Sequence, residues 1–215
     1  MSQGRLSPAP GAVSLVLIRH GETQWNAAAR IQGFRDIALS PRGREQAQAL
    51  AGVLADEPIR AVYASDLGRA IESARPLAQR LGLDVRVDAR MRERGFGIFE
   101  GHTYEEAEAR WPNEYAIWKR REPGYALPGG GESYLAGRER VFAFLQDVME
   151  RHEGSTIAVV THGGVLDIVY RAANGIPWET PRSHLLPNAC INRVTARLPG
   201  PQMQVVSWGD ASHLV

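Results

Sequence analysis

Two short apolar runs decide most of what this chain can fold into. Val13–Ile18 ("VSLVLI") and the run within Ser155–Gly164 ("STIAVVTHGG") are apolar at successive positions and rich in β-branched residues. A strand wet on one side alternates polar and apolar residues; a run without that alternation belongs in a sheet covered on both faces. The segments between them carry the covers. Ala47, Leu50, Ala51 and Leu54 fall at helical spacing behind Ser40, a natural N-cap, and Pro41, suited to a first helical position. Ala61–Ser65 ("AVYAS") reads as a strand running into a periodic helix with Leu67, Ala70, Ile71, Ala74, Leu77, Ala78 and Leu81 on one face. A short strand is expected at Val85–Val87, and a long amphipathic helix through Val141, Phe144, Leu145 and Val148. A helix over Val165–Ala173 and strands near Ile191–Ala196 and Met203–Trp208 complete the pattern. Strands alternating with helices predict an α/β fold, a three-layer α/β/α sandwich on a mostly parallel central sheet.

At 215 residues the chain suits one α/β domain, expected over 13–215, with a modest insertion. The insertion is placed at about 102–131, where Trp111, Tyr115, Trp118, Tyr125 and "KRRE" precede a Gly-rich turn, "PGGGES". It reads as helical and lid-like. Residues 1–12, rich in Ser, Pro and Gly without an apolar core, read as a disordered tail and not a signal peptide. With no run near the roughly 18 apolar residues of a membrane span, and no leader, the expected location is cytoplasmic. A net charge of +1 argues against a dedicated nucleic-acid binder. Cys190, the only cysteine, excludes an intrachain disulfide and makes a thiolate metal site implausible.

In such sheets ligands bind beyond the carboxyl ends of the strands. Three predicted strand ends carry polar or charged residues: Arg19–His20–Gly21, Ser65–Asp66 with Arg69 one turn on, and His162–Gly163. One histidine in such a place is usually a hydrogen-bonded turn residue. Two His–Gly endings beside two arginines describe an anion site. A guanidinium matches phosphate oxygens bidentately and stays charged, while neutral imidazole is a competent nucleophile. A glycine after each histidine, Gly21 and Gly163, suits backbone that approaches a ligand closely. The expected chemistry is phosphoryl transfer to a histidine, with cationic donors stabilising the group in flight.

In chain order, "RHGETQWN", "SDLGRAIESA", "RERGFGIFEGHT", "GGGES" and "VVTHGG" resemble the signature set of the histidine phosphatase superfamily, the phosphoglycerate mutase-like fold. That resemblance implies that His20 becomes phosphohistidine, its other ring nitrogen held by a backbone carbonyl. It implies that Arg19, Arg69 and His162 surround the phosphoryl group and that Asn26 completes the pocket. Glu93 would protonate the leaving oxygen and later activate water. Arg94, Gln32 and Gly33 stand where the family makes substrate contacts. No metal and no cofactor are implied.

Other phosphate chemistries lack their residues. A cysteine phosphatase needs an arginine at fixed spacing after its nucleophile, and the matching position after Cys190 is Ala196. His102, His152, His184 and His213 lack paired metal-ligand spacing, and no G-x-x-x-x-G-K-[ST] loop exists. The expected function is hydrolysis of small organic phosphomonoesters, by a monomer or homodimer whose partner is a phosphorylated metabolite. A phospholigand-binding regulatory protein on the same fold is the non-enzymatic alternative. The enzymatic one is a mutase dependent on 2,3-bisphosphoglycerate. Tyr104 stands where the mutases carry a lysine, although Arg120 and Arg121 can imitate their arginine pair. Trp111, Tyr115 and Trp118 point to an apolar leaving group.

Overall fold

The computed structural model describes residues 11–200 and 202–214. Its first strand, β1 (Ala12–Arg19), lies inside a six-stranded sheet with β2 (Ile59–Ala64), β3 (Val85–Val87), β4 (Thr156–Thr161), β5 (Ile191–Arg197) and β6 (Gln202–Asp210), ordered β3-β2-β4-β1-β5-β6. The first four in that order run parallel, and β5 is antiparallel to both of its neighbours. The expected mostly parallel sheet is present.

The unbroken apolarity of β1 and β4 is explained by two cores, one on each face. Leu15, Leu17, Ile157 and Val159 point to α6 (Tyr134–Arg151) and α7 (Gly163–Asn174), packing with Phe144, Leu145, Val165 and Val169. Val16, Ile18, Ala158 and Val160 point to α2 (Pro41–Val53) and α3 (Gly68–Leu81), packing with Leu50, Leu54, Ala74 and Leu77. Period-2 alternation within an all-apolar run therefore feeds both helical layers. Ser40 caps α2 by accepting the Gly43 N–H at 3.0 Å, with Pro41 in the first turn as expected.

Besides these the chain forms three short helices: α1 (Gln24–Ala27), α4 (Tyr104–Arg110) and α5 (Pro112–Lys119). The last two lie in the stretch expected to be an insertion and gather round their own small core of Ile31, Phe99, Ala107 and Leu127. The tail expected over 1–12 falls mostly outside the described residues. Its assigned end is too long, because Ala12 is fully buried in β1.

The topology places the site. From β1 the chain crosses to α2 on one face of the sheet, and from β4 it enters α7 on the other. Adjacent parallel strands whose connections leave in opposite directions open a crevice at their carboxyl ends. His20 and His162 stand at that crevice, and Ser65 ends the next strand over.

Candidate active site

The three strand ends are tied to one another by backbone. His20 N–H donates to Thr161 O at 2.9 Å, and Ser65 N–H to Val160 O at 3.0 Å. The imidazoles of His20 and His162 consequently lie with ring centroids 5.0 Å apart, tilted by 57°. Each is nearly inaccessible, at 2% and 0% exposure. A cavity of about 770 Å³ opens beside them. Its wall includes Arg19, His20, Asn26, Gln32, Gly33, Arg69, Glu93, Arg94 and Gly163, nine of the ten residues expected from sequence. His162, the tenth, is not on the wall; it is packed behind His20, with Nε2 2.9 Å from Ser65 Oγ.

Backbone carbonyls aim the polar side chains. His20 Nδ1 lies 2.7 Å from Gly21 O, which can only accept, so the ring proton is on Nδ1 and Nε2 carries the free lone pair. Arg69 donates from Nη1 to Arg35 O at 2.6 Å and from Nη2 to Gly33 O at 2.9 Å. Arg19 Nη1 donates to Leu186 O. Arg19 Nε, Arg69 Nε and His162 Nδ1 are buried and have no hydrogen-bond partner among the described residues. Two unpaired guanidinium N–H groups and an unpaired imidazole nitrogen beside one histidine are costly in a folded chain unless a ligand pairs with them.

Glu93 is fixed from a different direction. Its carboxylate accepts the Gly164 N–H at 3.1 Å and the Arg94 N–H at 2.8 Å. Glycine at 164 leaves the Glu93 carboxylate this seat, since a Cβ there would displace it. The two glycines singled out from sequence have different reasons. A Cβ at Gly21 would strike the backbone of Gly43, so Gly21 packs β1's end onto α2 and not onto a ligand. Gly163 leaves ordinary room beside the Arg19 guanidinium and does line the cavity.

Several of these residues also have partners within the protein. Asp66 turns away to pair with Arg92. Gln32 accepts from the Thr23 hydroxyl at 2.9 Å, and Gly33 acts through its carbonyl on Arg69. Arg120 is exposed and pairs with Glu122, whereas Arg121 lines the cavity, so Arg120 and Arg121 do not face it as a pair. Trp118 and Tyr104 line the cavity too, but Trp111 and Tyr115 pack on Phe99.

Sequence reasoning missed the segment after α7. Trp178, Pro181 and Arg182 line the cavity, as does Asp167 on α7. Arg121 Cζ lies 4.2 Å over the Trp178 ring and its Nε donates to Trp178 O at 2.8 Å. Asp167 pairs with Arg171 at 3.0 Å, and its Oδ1 lies 3.2 Å from His184 Nε2. Only the "WETPR" composition, an aromatic and an arginine in a Pro-bounded loop, hinted at a binding surface.

Burial pushes the His20 pKa well below the ordinary 6.5, with Arg69 and Arg19 adding to the effect; burial, Arg69 and His20 do the same to His162. Both rings are neutral near pH 7. The unfolded chain takes up these protons near pH 6.5 while the folded chain resists, so stability is lost as pH falls from about 6.5 downward. The unfolding temperature is expected to drop between about pH 7 and pH 5. A His20→Asn, His162→Asn double variant should show a shallower drop; equal slopes in a melting series would contradict the assignment.

Residues 15–210 match the family model of the histidine phosphatase superfamily, branch 1. The chain belongs to that superfamily. Among its relatives it is 40% identical over 202 residues to phosphoglycerate mutase-like protein 4 of Arabidopsis thaliana, covering 93% of this chain and 86% of that one. It is 36% identical over 203 residues to a metal-independent phosphoserine phosphatase of the same plant, covering 93% and 82%. The structure of an Entamoeba histolytica phosphoserine phosphatase in complex with 3-phosphoglyceric acid superposes with a TM-score of 0.82 at 30% identity, covering 94% of this chain and all of that one. Among the described residues, no helix is long and apolar enough to cross a membrane.

Proposed function

We propose that this chain is a metal-independent phosphatase that hydrolyses small phosphomonoesters, with His20 as nucleophile, in a single domain whose 102–131 region covers the site. The observation that carries the reading is the free Nε2 of His20 set among the unpartnered N–H groups of Arg19 and Arg69 and the unpartnered Nδ1 of His162. In the first step Nε2 bonds to phosphorus and the P–O ester bond breaks, the leaving oxygen taking a proton from Glu93. In the second, water attacks the phosphohistidine, Glu93 accepts its proton, and the N–P bond breaks to release inorganic phosphate. The guanidiniums of Arg19 and Arg69 stabilise the charge on the transferring group without reorganising. Gly21 O keeps His20 in the required tautomer throughout.

The leaving group we infer is anionic, not merely apolar. Beyond the phosphoryl clamp the wall presents Arg30, Arg94, Lys119, Arg121 and Arg182 against Asp167 and Glu93. Trp118 and Trp178 line the same cavity, and the Trp178 ring lies under the guanidiniums of Arg94 and Arg121. Such a wall suits a short acid such as phosphoserine, the substrate in the names of two of the relatives. Hydrolysis is favoured over mutase activity because Tyr104 takes the place of a cation and Arg120 points away. Every group invoked comes from one chain, so a monomer suffices. The buried, unpaired Cys190 is compatible with the cytoplasm.

Phosphate release from phosphoserine is expected to exceed both release from a neutral phosphomonoester of similar size and interconversion of 3- and 2-phosphoglycerate. The assay is run with and without 2,3-bisphosphoglycerate. Isomerisation that depends on that primer, with little phosphate set free, would replace the phosphatase with a mutase.

A further inference from the structure

Asn26 presents two chemically opposite faces, and backbone groups decide which one is left for a ligand. Its Oδ1 accepts the Thr23 N–H at 3.1 Å, a donor whose identity is fixed by the main chain. The second hydrogen bond to that oxygen comes from Asn188 Nδ2, also at 3.1 Å. The Thr23 hydroxyl lies within reach of the same oxygen at 3.1 Å but is closer, at 2.9 Å, to Gln32 Oε1, which takes its single proton. The two lone pairs of Asn26 Oδ1 are therefore filled, and the amino group is what Asn26 offers to the cavity it lines.

Asn188 is oriented just as firmly. Its Nδ2 also donates to the carbonyl oxygen of His20 at 3.2 Å, so each of its two protons has an acceptor. The same carbonyl accepts the Ala189 N–H at 3.2 Å. Ala189 holds φ at +58°, a left-handed conformation unusual for a residue with a Cβ. That turn is what brings the Asn188 amide and the Ala189 N–H to one oxygen. Backbone strain kept at such a spot is the mark of a position that geometry requires. Asn188 itself does not line the cavity.

We propose that Asn188 is a positioning residue for phosphoryl transfer: it locks the acceptor face of Asn26 inward, ties it to the main chain of the nucleophile, and so turns Asn26 Nδ2 toward a phosphoryl oxygen. The proposal rests on the reading of this cavity as a phosphatase site with Asn26 in its phosphate pocket. If the Asn26 amide turned over, it would set an oxygen lone pair against an anion, which converts a donor into a repulsive contact. Asn188 thereby acts on the transferring group without touching it.

A double-mutant cycle tests this, using release of nitrophenol from nitrophenyl phosphate and inhibition by orthovanadate, with unfolding temperature measured alongside. Asn26→Ala is expected to lower kcat and weaken vanadate inhibition. Asn188→Ala should lower kcat about tenfold and weaken vanadate to a similar degree. Asn188→Asp should cost more, because a carboxylate faces two oxygens. In the Asn26→Ala background, Asn188→Ala should change kcat by no more than about twofold. Asn188→Ser, which retains one donor, provides the same cycle with a smaller loss should the alanine variant fold poorly. Penalties at 26 and 188 that simply multiply would overturn the proposal while leaving the phosphate pocket intact. An Asn26→Ala variant with unchanged kcat and vanadate inhibition would overturn the placement of Asn26 and the proposal together.

Discussion

His20→Ala is expected to reduce turnover to background and to abolish a covalent phosphoryl label. Brief incubation of the unaltered protein with a labelled phosphomonoester should leave acid-labile, base-stable phosphate on the chain. The size of the effect follows from what is lost. Removing a donor raises one barrier, whereas removing the nucleophile removes the route through the phosphohistidine altogether. The substitution should not unfold the protein. His20 is joined to its neighbours through its backbone N–H and carbonyl, which alanine retains, and among the described residues its side chain bonds only to the adjacent Gly21 O. A normally folded alanine variant that still turns over, or a label recovered on another residue, would remove His20 from the mechanism.

Arg69→Ala carries the next largest expected loss. Deleting one preorganised donor to a transition-state charge typically costs about 3–4 kcal/mol, a rate loss on the order of a hundredfold or more. Arg69 is 1% exposed and is held by the carbonyls of Arg35 and Gly33, so those two oxygens also lose their partner in the variant. Arg69→Lys separates the two consequences. An ammonium restores the positive charge but cannot serve both carbonyls and a phosphoryl oxygen from one planar fork. The lysine variant should regain much of the thermal stability and little of kcat. Near-normal kcat with lysine would mean that Arg69 supplies diffuse charge alone.

The chemistry was legible in the sequence because it sits where regular structure stops. His20, His162 and Arg69 interrupt or follow apolar runs that had no structural use for them, and the family's ordered motifs supplied Asn26 and Glu93. What stayed hidden lies in irregular backbone. Trp178, Arg182 and Asn188 occupy a stretch with no periodicity to register them, and their places depend on long-range partners such as Arg121 and His20. The aromatic residues of 102–131 were legible as apolar but not as to which would face the cavity. Trp118 does, while Trp111 and Tyr115 fill the small core around Phe99. The glycine after His20 was legible as a close approach; that the approach was to Gly43 depended on how α2 returns to the strand. The antiparallel placement of β5 was likewise set by pairing that no local pattern encodes.

The orientation of His20, Arg19 and Arg69 depends on the carbonyl oxygens of Gly21, Leu186, Gly33 and Arg35. A main-chain carbonyl survives every substitution of the residue that carries it. Side chains around the cavity are thus free to diverge in descendants of this chain without disturbing the aim of the reactive groups. Selection for a new leaving group can rewrite the outer wall, at Lys119, Arg121 or Arg182, while the inherited reaction continues to work beneath it. Substrate range on this scaffold should drift far more readily than reaction type.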